Sequence, residues 1–350
     1  MNRLAYLIGN LVALTAAFGL LARYVPPQAF WPPAVVALLL PGLLLLTAAY
    51  LVFALIKRKR WKSAILPLAV ILFSVPILDQ LFAWPSPLQP VPEDAQKVVI
   101  FTGNQRLFRS DDTSEVSESI AAEAFAHYDA DIILLQETRP PSNKTNYVAS
   151  ILANGKASSR SQKPGTLVAT YADSLRMITS SFTEPNEYNG YLVSDVETPL
   201  GTIRVINAHL ESNQISGMAP GIRGGNSYPD RAETLARMLA GYGRATRRRA
   251  QQADEIRNLI ELSPHPVVLG GDFNDVPSSY TYNRIHSPRL RDAWTVRGKG
   301  LGATFTGPIP GLRIDYLMVD TSLRIESIER LPNLWSDHRP LRMVITDEAK

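Results

Sequence analysis

The hydrophobic positions of this chain fall into two regimes. Up to Trp84 they run together. Residues 4–22 carry no charge, residues 34–56 are apolar nearly throughout, and a third run starts at Ala64 and continues past Asp79 to Trp84. The first two match the ~20 residues that cross a bilayer core, and the third does so if Asp79 lies near the interface. The expectation is about three transmembrane helices, near 4–22, 34–56 and 64–84. Residues 85–96 open with four prolines within 85–93, a stiff extended spacer. Beyond it the apolar runs shorten and alternate with polar turns. Strands are expected at Lys97–Asn104, Asp131–Glu137, Thr166–Tyr171, Tyr191–Glu197, Gly201–His209, Val267–Gly271, Arg313–Val319 and Leu341–Ile345. Helical spacing follows Asp112, whose Glu115 three residues on resembles a capping box, and recurs over 229–261. The Gly/Ser/Pro-rich stretch 211–229 reads as a long loop.

Charge sharpens this division. Of the 36 Lys and Arg residues seven precede Asp79, and none of the 32 acids does, so 79–350 holds 29 bases against 32 acids, a balance of −3. The basic character belongs to the apolar segment, and a strongly basic nucleic-acid-binding face is not indicated for the rest. Lys57-Arg58-Lys59-Arg60-Trp61-Lys62 marks a cytoplasmic loop. With three spans, the N-terminus is then inside and everything after about Trp84 is extracytoplasmic. Arg244, Arg247, Arg248 and Arg249 form a second cluster. It reads as a solvated helix face or a contact with anionic lipid headgroups, with substrate phosphate as the sharper alternative. There are no cysteines, which excludes disulfides, thiolate metal sites and a cysteine nucleophile.

The chemistry sits at strand ends. Val267-Val268-Leu269 runs into Gly270-Gly271-Asp272-Phe273-Asn274, which puts a carboxylate and a carboxamide at the carboxyl end of a buried strand. Asn104, Glu137, His209, Asp315 and Asp337-His338 occupy comparable places. Carboxylates, amides and two histidines without a thiol suit an oxygen-ligated cation and phosphoryl chemistry. No glycine-rich phosphate loop is present. His127, His265 and His286 are expected to be structural or surface residues.

In order, Gly103-Asn104, Leu135-Gln136-Glu137, Asn207-Ala208-His209-Leu210, Gly271-Asp272-Phe273-Asn274, Arg313-Ile314-Asp315-Tyr316 and Ser336-Asp337-His338 resemble the endonuclease/exonuclease/phosphatase superfamily of DNase I-like phosphoesterases. The likeness covers about residues 97–346. It implies an α+β fold, a four-layer α/β/β/α sandwich, here preceded by the transmembrane anchor 1–84. It also implies that Glu137 binds Mg²⁺, or Mn²⁺ as the alternative, with Asn104 beside it and Asp337 in support. Asp272 would orient or deprotonate the attacking water, and Asn274 would hold it or a phosphate oxygen. His338, oriented by Asp315, would contact the scissile phosphate, with His209 as the second phosphate-facing histidine. Some nucleases of the superfamily carry an acid where this chain has Arg106, which removes one metal contact from that loop. The expected function is membrane-anchored hydrolysis of a phosphoester. A DNA or RNA endonuclease of the same fold and a catalytically silent binding module are the alternatives.

Overall fold

The computed structural model describes residues 3–57, 62–84, 92, 94–109, 116–138, 159–162, 167–182, 188–213, 228–307, 309 and 311–347. The Asp112–Glu115 capping box, most of the proline spacer, the basic residues 58–60 and the stretch 214–227 lie outside them. The helices are α1 (Arg3–Leu20), α2 (Pro32–Ala37), α3 (Leu40–Ile56), α4 (Ile65–Leu81), α5 (Glu118–Tyr128), α6 (Tyr228–Glu261), α7 (Tyr280–Ile285) and α8 (Ala293–Arg297). Contacts divide the chain into two compact units. One holds Met1–Phe82, Asn213–Asp254 and Asp275–Ile285; the other holds Ala83–Ser212, Glu255–Asn274 and His286–Lys350.

In the first unit α1 and α3 run antiparallel. Asn10 Nδ2 donates to Tyr50 Oη at 2.8 Å, and the Tyr6 and Phe53 rings lie 5.9 Å apart. Helix α4 runs with α1: Arg23 hydrogen-bonds Gln80, and Leu20 shares a cluster with Ile77 and Leu81. Lys57 and Lys62 therefore sit at one end of the bundle, and Arg23, Pro32 and Leu81 at the other. Two helices, Leu4–Arg23 and Lys62–Leu81, are long and apolar enough to cross a membrane. The span expected over 34–56 is instead broken into α2 and a shorter α3, so the count of about three spanning helices is not reached. Pro41 supplies the reason. It has no N–H to donate to the carbonyl of Ala37, and Ser278 Oγ takes that carbonyl at 3.0 Å. Tyr242 Oη donates to the Ala34 carbonyl (3.0 Å) and Asn283 Nδ2 to the Arg23 carbonyl (3.2 Å), so α6 and α7 dock at the same end. Of the four clustered arginines, Arg249 is wholly buried. It pairs with Asp275 at 3.1 Å and Asn213 at 2.6 Å, while Arg244 and Arg247 are exposed.

The second unit is built on two six-stranded sheets. The first joins β1 (Lys97–Asn104), β2 (Ile132–Gln136), β3 (Ser159–Gln162), β4 (Ala169–Ala172), β11 (Leu323–Arg330) and β12 (Leu341–Asp347) in the order β11-β12-β1-β2-β4-β3. The second joins β5 (Leu175–Ser181), β6 (Gly190–Thr198), β7 (Gly201–His209), β8 (Val267–Asp272), β9 (Leu290–Asp292) and β10 (Asp315–Asp320) in the order β5-β6-β7-β8-β10-β9. Their inner faces share one core: Ile100, Ile132 and Leu134 from the first, Val205, Val268 and Leu317 from the second. Gly270 permits the close approach, since a Cβ there would meet Leu134 at 2.6 Å. The outer face of the first sheet packs Phe101, Ile133 and Leu135 against Ala121, Phe125 and Tyr128 of α5. Helix α5 starts at Ser117, whose Oγ accepts from the Ile120 N–H at 3.4 Å. The last turns of α6 lie against the second sheet, where Tyr191 Oη donates to Glu255 at 2.7 Å. The layers therefore run helix, sheet, sheet, helix, as the α+β expectation required.

Candidate active site

Register assembles the site. Parallel pairing sets His209 of β7 opposite Asp272 of β8, and antiparallel pairing sets Asp272 opposite Asp315 of β10. In the other sheet Asn104 pairs with Gln136, so Glu137 follows at the same edge. Between the sheets Gln136 Nε2 donates to Asn207 Oδ1 at 2.7 Å, and Asn207 Nδ2 donates to the Ala169 carbonyl at 2.9 Å. This buried amide pair locks the two edges together.

Backbone conformation aims the side chains. Glu137 (φ 46°) and Asn274 (φ 52°) are both left-handed, at a cost of about 1–2 kcal/mol each for a residue with a Cβ. Gly271 has φ 140°, and a Cβ there would lie 1.9 Å from the Ala208 carbonyl oxygen. No other residue type fits between β7 and β8 at that point.

The polar groups converge on Asp272 Oδ2. Asn104 Nδ2 donates to it at 3.0 Å and to Glu137 Oε1 at 3.1 Å. Asn274 approaches it at 3.3 Å through its side chain, while its backbone N–H donates to Asp272 Oδ1 at 2.8 Å. His338 Nε2 lies 3.8 Å from Oδ2 and His209 Nε2 lies 3.6 Å from it. Behind His338, Nδ1 sits 2.9 Å and 3.1 Å from the two oxygens of Asp315, an orienting carboxylate–imidazole pair. The backbone N–H groups of Ile314 and Asp315 both donate to Thr304 Oγ1 at 3.1 Å, and Phe305 meets the His338 ring edge-on. His209 Nδ1 is fixed by the Tyr188 carbonyl at 2.8 Å, which aims Nε2 at the carboxylates.

Seven of the eight sequence-chosen residues, Asn104, Glu137, His209, Asp272, Asn274, Asp315 and His338, thus form one contact network. Asp337 faces Arg106 at 4.0 Å, and its carbonyl accepts from Thr306. Thr304, Phe305 and the Tyr188 carbonyl were not anticipated; they act through backbone contacts that no sequence pattern announces.

Burial raises the pKa of Asp272 above the usual carboxylate range, and Asp315 adds to the shift while the two histidines oppose it. Burial alone would lower His338. The carboxylates of Asp315 and Asp272 overcome it and push the imidazole up to about 10, so His338 is a cation at neutral pH.

The donor set also fits a hard divalent cation. Asp272, Asp315 and His338 offer atoms within 4.8 Å of one another. The Nδ1 of His338 is already engaged with Asp315, while Asn104 and Asn274 donate to Asp272. Beside it His209 Nε2 is buried without a hydrogen-bond partner, 3.8 Å from Glu137. An orphaned nitrogen and crowded carboxylate oxygens are what a cation or a phosphate oxygen would satisfy.

The endonuclease/exonuclease/phosphatase family model matches residues 111–338, more than half of the chain. The chain belongs to this family. As a member of the endonuclease/exonuclease/phosphatase family it is a hydrolase of phosphoric esters, in a family generally dependent on divalent metal. A second model, a domain of unknown function (DUF8431), matches residues 2–81. No curated protein matches the chain. Among solved structures, D. rerio TDP2 humanized by 14 mutations aligns at 16% identity over 71% of this chain and 99% of its own, with a TM-score of 0.50. An endonuclease/exonuclease/phosphatase family protein from Bacteroides thetaiotaomicron aligns at 14% identity over 73% and 100%, also with a TM-score of 0.50. At these identities the likeness concerns the fold.

Proposed function

We propose that this chain is a membrane-anchored phosphoesterase, with a catalytic domain over 97–346 carried on an anchor, 1–84, through the spacer 85–96. The observation that carries the catalytic reading is the convergence of Asn104, Asn274, His209 and His338 on one buried carboxylate oxygen of Asp272. Asp272 orients a water and accepts its proton as the water oxygen attacks phosphorus. Asn274 holds that water or a phosphate oxygen. The His338 cation, steadied by Asp315, neutralises charge as it builds on the phosphate oxygens, and His209 contacts a second oxygen. Glu137, with Asn104 beside it and Asp337 in support, would hold Mg²⁺ or Mn²⁺, which supplies further charge neutralisation when bound.

The anchor reading rests on what the first unit exposes. Only 22% and 33% of its two long apolar windows are buried, so these helices are not the enclosed core of a soluble domain. Lys57 and Lys62 mark the cytoplasmic end of the bundle. The chain leaves α4 at Leu81, at the opposite end, so the residues that follow are extracytoplasmic. The balance of −3 over 79–350 favours a small or lipid phosphoester over duplex nucleic acid.

The test is hydrolysis by the full chain with Mg²⁺, Mn²⁺ or EDTA. The substrates are plasmid DNA, sphingomyelin, phosphatidylinositol phosphates and bis-p-nitrophenyl phosphate, with Asp272→Ala and His338→Ala in parallel. Metal-dependent turnover lost in both variants is expected. A folded chain that binds no metal would instead be a silent binding module, and preference for DNA would make it an endonuclease.

A further inference from the structure

Helix α6 carries an apolar stripe that outruns the surface it rests on. At about 100° per residue, Leu235, Met238, Leu239, Tyr242 and Gly243 share one face, and Glu233, Arg237 and Arg244 share the other. At Tyr242 and Gly243 the stripe is seated on the bundle. The Tyr242 hydroxyl reaches the Ala34 carbonyl, and Gly243 lies so close to Trp31 that a Cβ would meet the indole at 2.7 Å. One to two turns earlier the same face is uncovered, with Leu235 49% and Leu239 36% exposed. A rigid helix keeps its face direction over so short a distance. The face that points at the end of the bundle beneath Tyr242 points at what surrounds that end beneath Leu235.

We infer that residues 231–242 lie in the plane of the bilayer interface, with Leu235, Met238 and Leu239 set among lipid headgroups and upper acyl chains. The inference rests on the anchored reading above. Three observations name lipid as the occupant. The stripe is continuous with the contact at the bundle end, where apolar helices give way to polar chain. Trp31 marks that level with an amphipathic ring of the kind that favours a membrane interface. Glu233, Arg237 and Arg244 lie on the face turned away, and Arg231, which shares the stripe's face at its start, has the long aliphatic stem that lets a basic head reach lipid headgroups, leaving an apolar strip suited to the ~5–10 Å that an interfacial helix buries. The long helix that crosses from one unit to the other is thereby a second membrane contact, lying on the bilayer rather than through it.

The chain has no cysteine, so single labels report single positions. The full chain, reconstituted in phosphatidylcholine nanodiscs, would carry a nitroxide at Leu235→Cys, Leu239→Cys, Glu233→Cys or Arg244→Cys, with Phe73→Cys on α4 as the control. Collision with oxygen, which partitions into lipid, is compared with collision with a water-soluble nickel chelate. Labels at 235 and 239 are expected to show a severalfold higher oxygen-to-nickel ratio than labels at 233 and 244. Equal ratios at all four would overturn the inference in favour of a solvated face. Protection of 235 and 239 from both reagents would overturn it in favour of protein cover, such as a second copy. The Phe73 label separates the two readings. If it too favours nickel, the anchor itself fails; if it favours oxygen while 235 and 239 do not, only the interfacial helix fails.

Discussion

The two units of this chain differ in what they leave outside. In the sheet unit Phe101, Tyr171, Phe273 and Tyr316 are enclosed. In the helical unit the enclosed positions include Ala13, Ala16, Thr47 and Ser74, all at 0% exposure, while Leu45 and Phe73 stand 72% and 69% exposed. The buried hydroxyls are satisfied within their own helices, Thr47 by the Leu43 carbonyl at 2.7 Å and Ser74 by the Ile71 carbonyl at 2.8 Å. Small residues share the interior with Leu40, Leu44 and Ile77, while other large apolar residues stand outside, an arrangement that suits close helix packing where the surroundings are already apolar.

Substitutions can break or sharpen this contrast, and the largest effect is expected at the site. Asp272→Asn or His338→Ala should lower kcat by roughly 10²–10⁴-fold, with membrane extraction unchanged. A rate near that of the unmodified chain would remove these residues from the chemistry. Next come truncations. Leu134→Ala, in the shared core of the sheets, should cost about 2–5 kcal/mol in denaturant unfolding. Leu45→Ala, already outside, should leave the bundle's resistance to detergent nearly unchanged, and equal costs would contradict that difference. Then comes added charge. Phe73→Lys should cost about 2.5–3.5 kcal/mol of insertion, read as loss of chain that resists alkaline extraction. Leu262→Lys, on an 81% exposed position of the sheet unit, should stay within about 0.5 kcal/mol by thermal melting. The smallest effect is one of pH. Burial would raise Asp320, but the hydrogen bonds from Arg289 (2.7 Å) and Ser322 (2.9 Å) outweigh it and hold its pKa down. Its contribution to stability is therefore present above the unfolded carboxylate pKa of ~3.9 and is lost as pH falls through the lower folded value. Urea midpoints measured down an acid series should fall less steeply for Asp320→Asn than for the unmodified chain.

Much of the site was readable because it is written at strand ends. An apolar run that stops at Asp272, His209 or Glu137 declares both the strand and the place where its side chain emerges. What the sequence did not declare depends on distant backbone. Thr304 braces Asp315 across eleven residues through main-chain N–H groups, and hydroxyls of that kind are common in any loop. The bundle was legible in its apolar runs but not in its break, because the consequence of Pro41 depends on Ser278 arriving to take the stranded carbonyl. Arg249 looked like its three neighbours in sequence. Helical phase turned it inward to Asp275, and that partner lies 26 residues away.

The place of β12 has a consequence for biosynthesis. The last of the described strands, Leu341–Asp347, lies between β1 and β11 and pairs with β1 from Lys97 to Thr102. β1, near the start of the sheet unit, gains its antiparallel partner only after Leu341–Asp347 has been made. The first sheet, and with it the edge that carries Asn104 and Glu137, stays incomplete until that strand arrives. Until then β1 has β2 on one side and an open hydrogen-bonding edge on the other, so the site takes form late in synthesis.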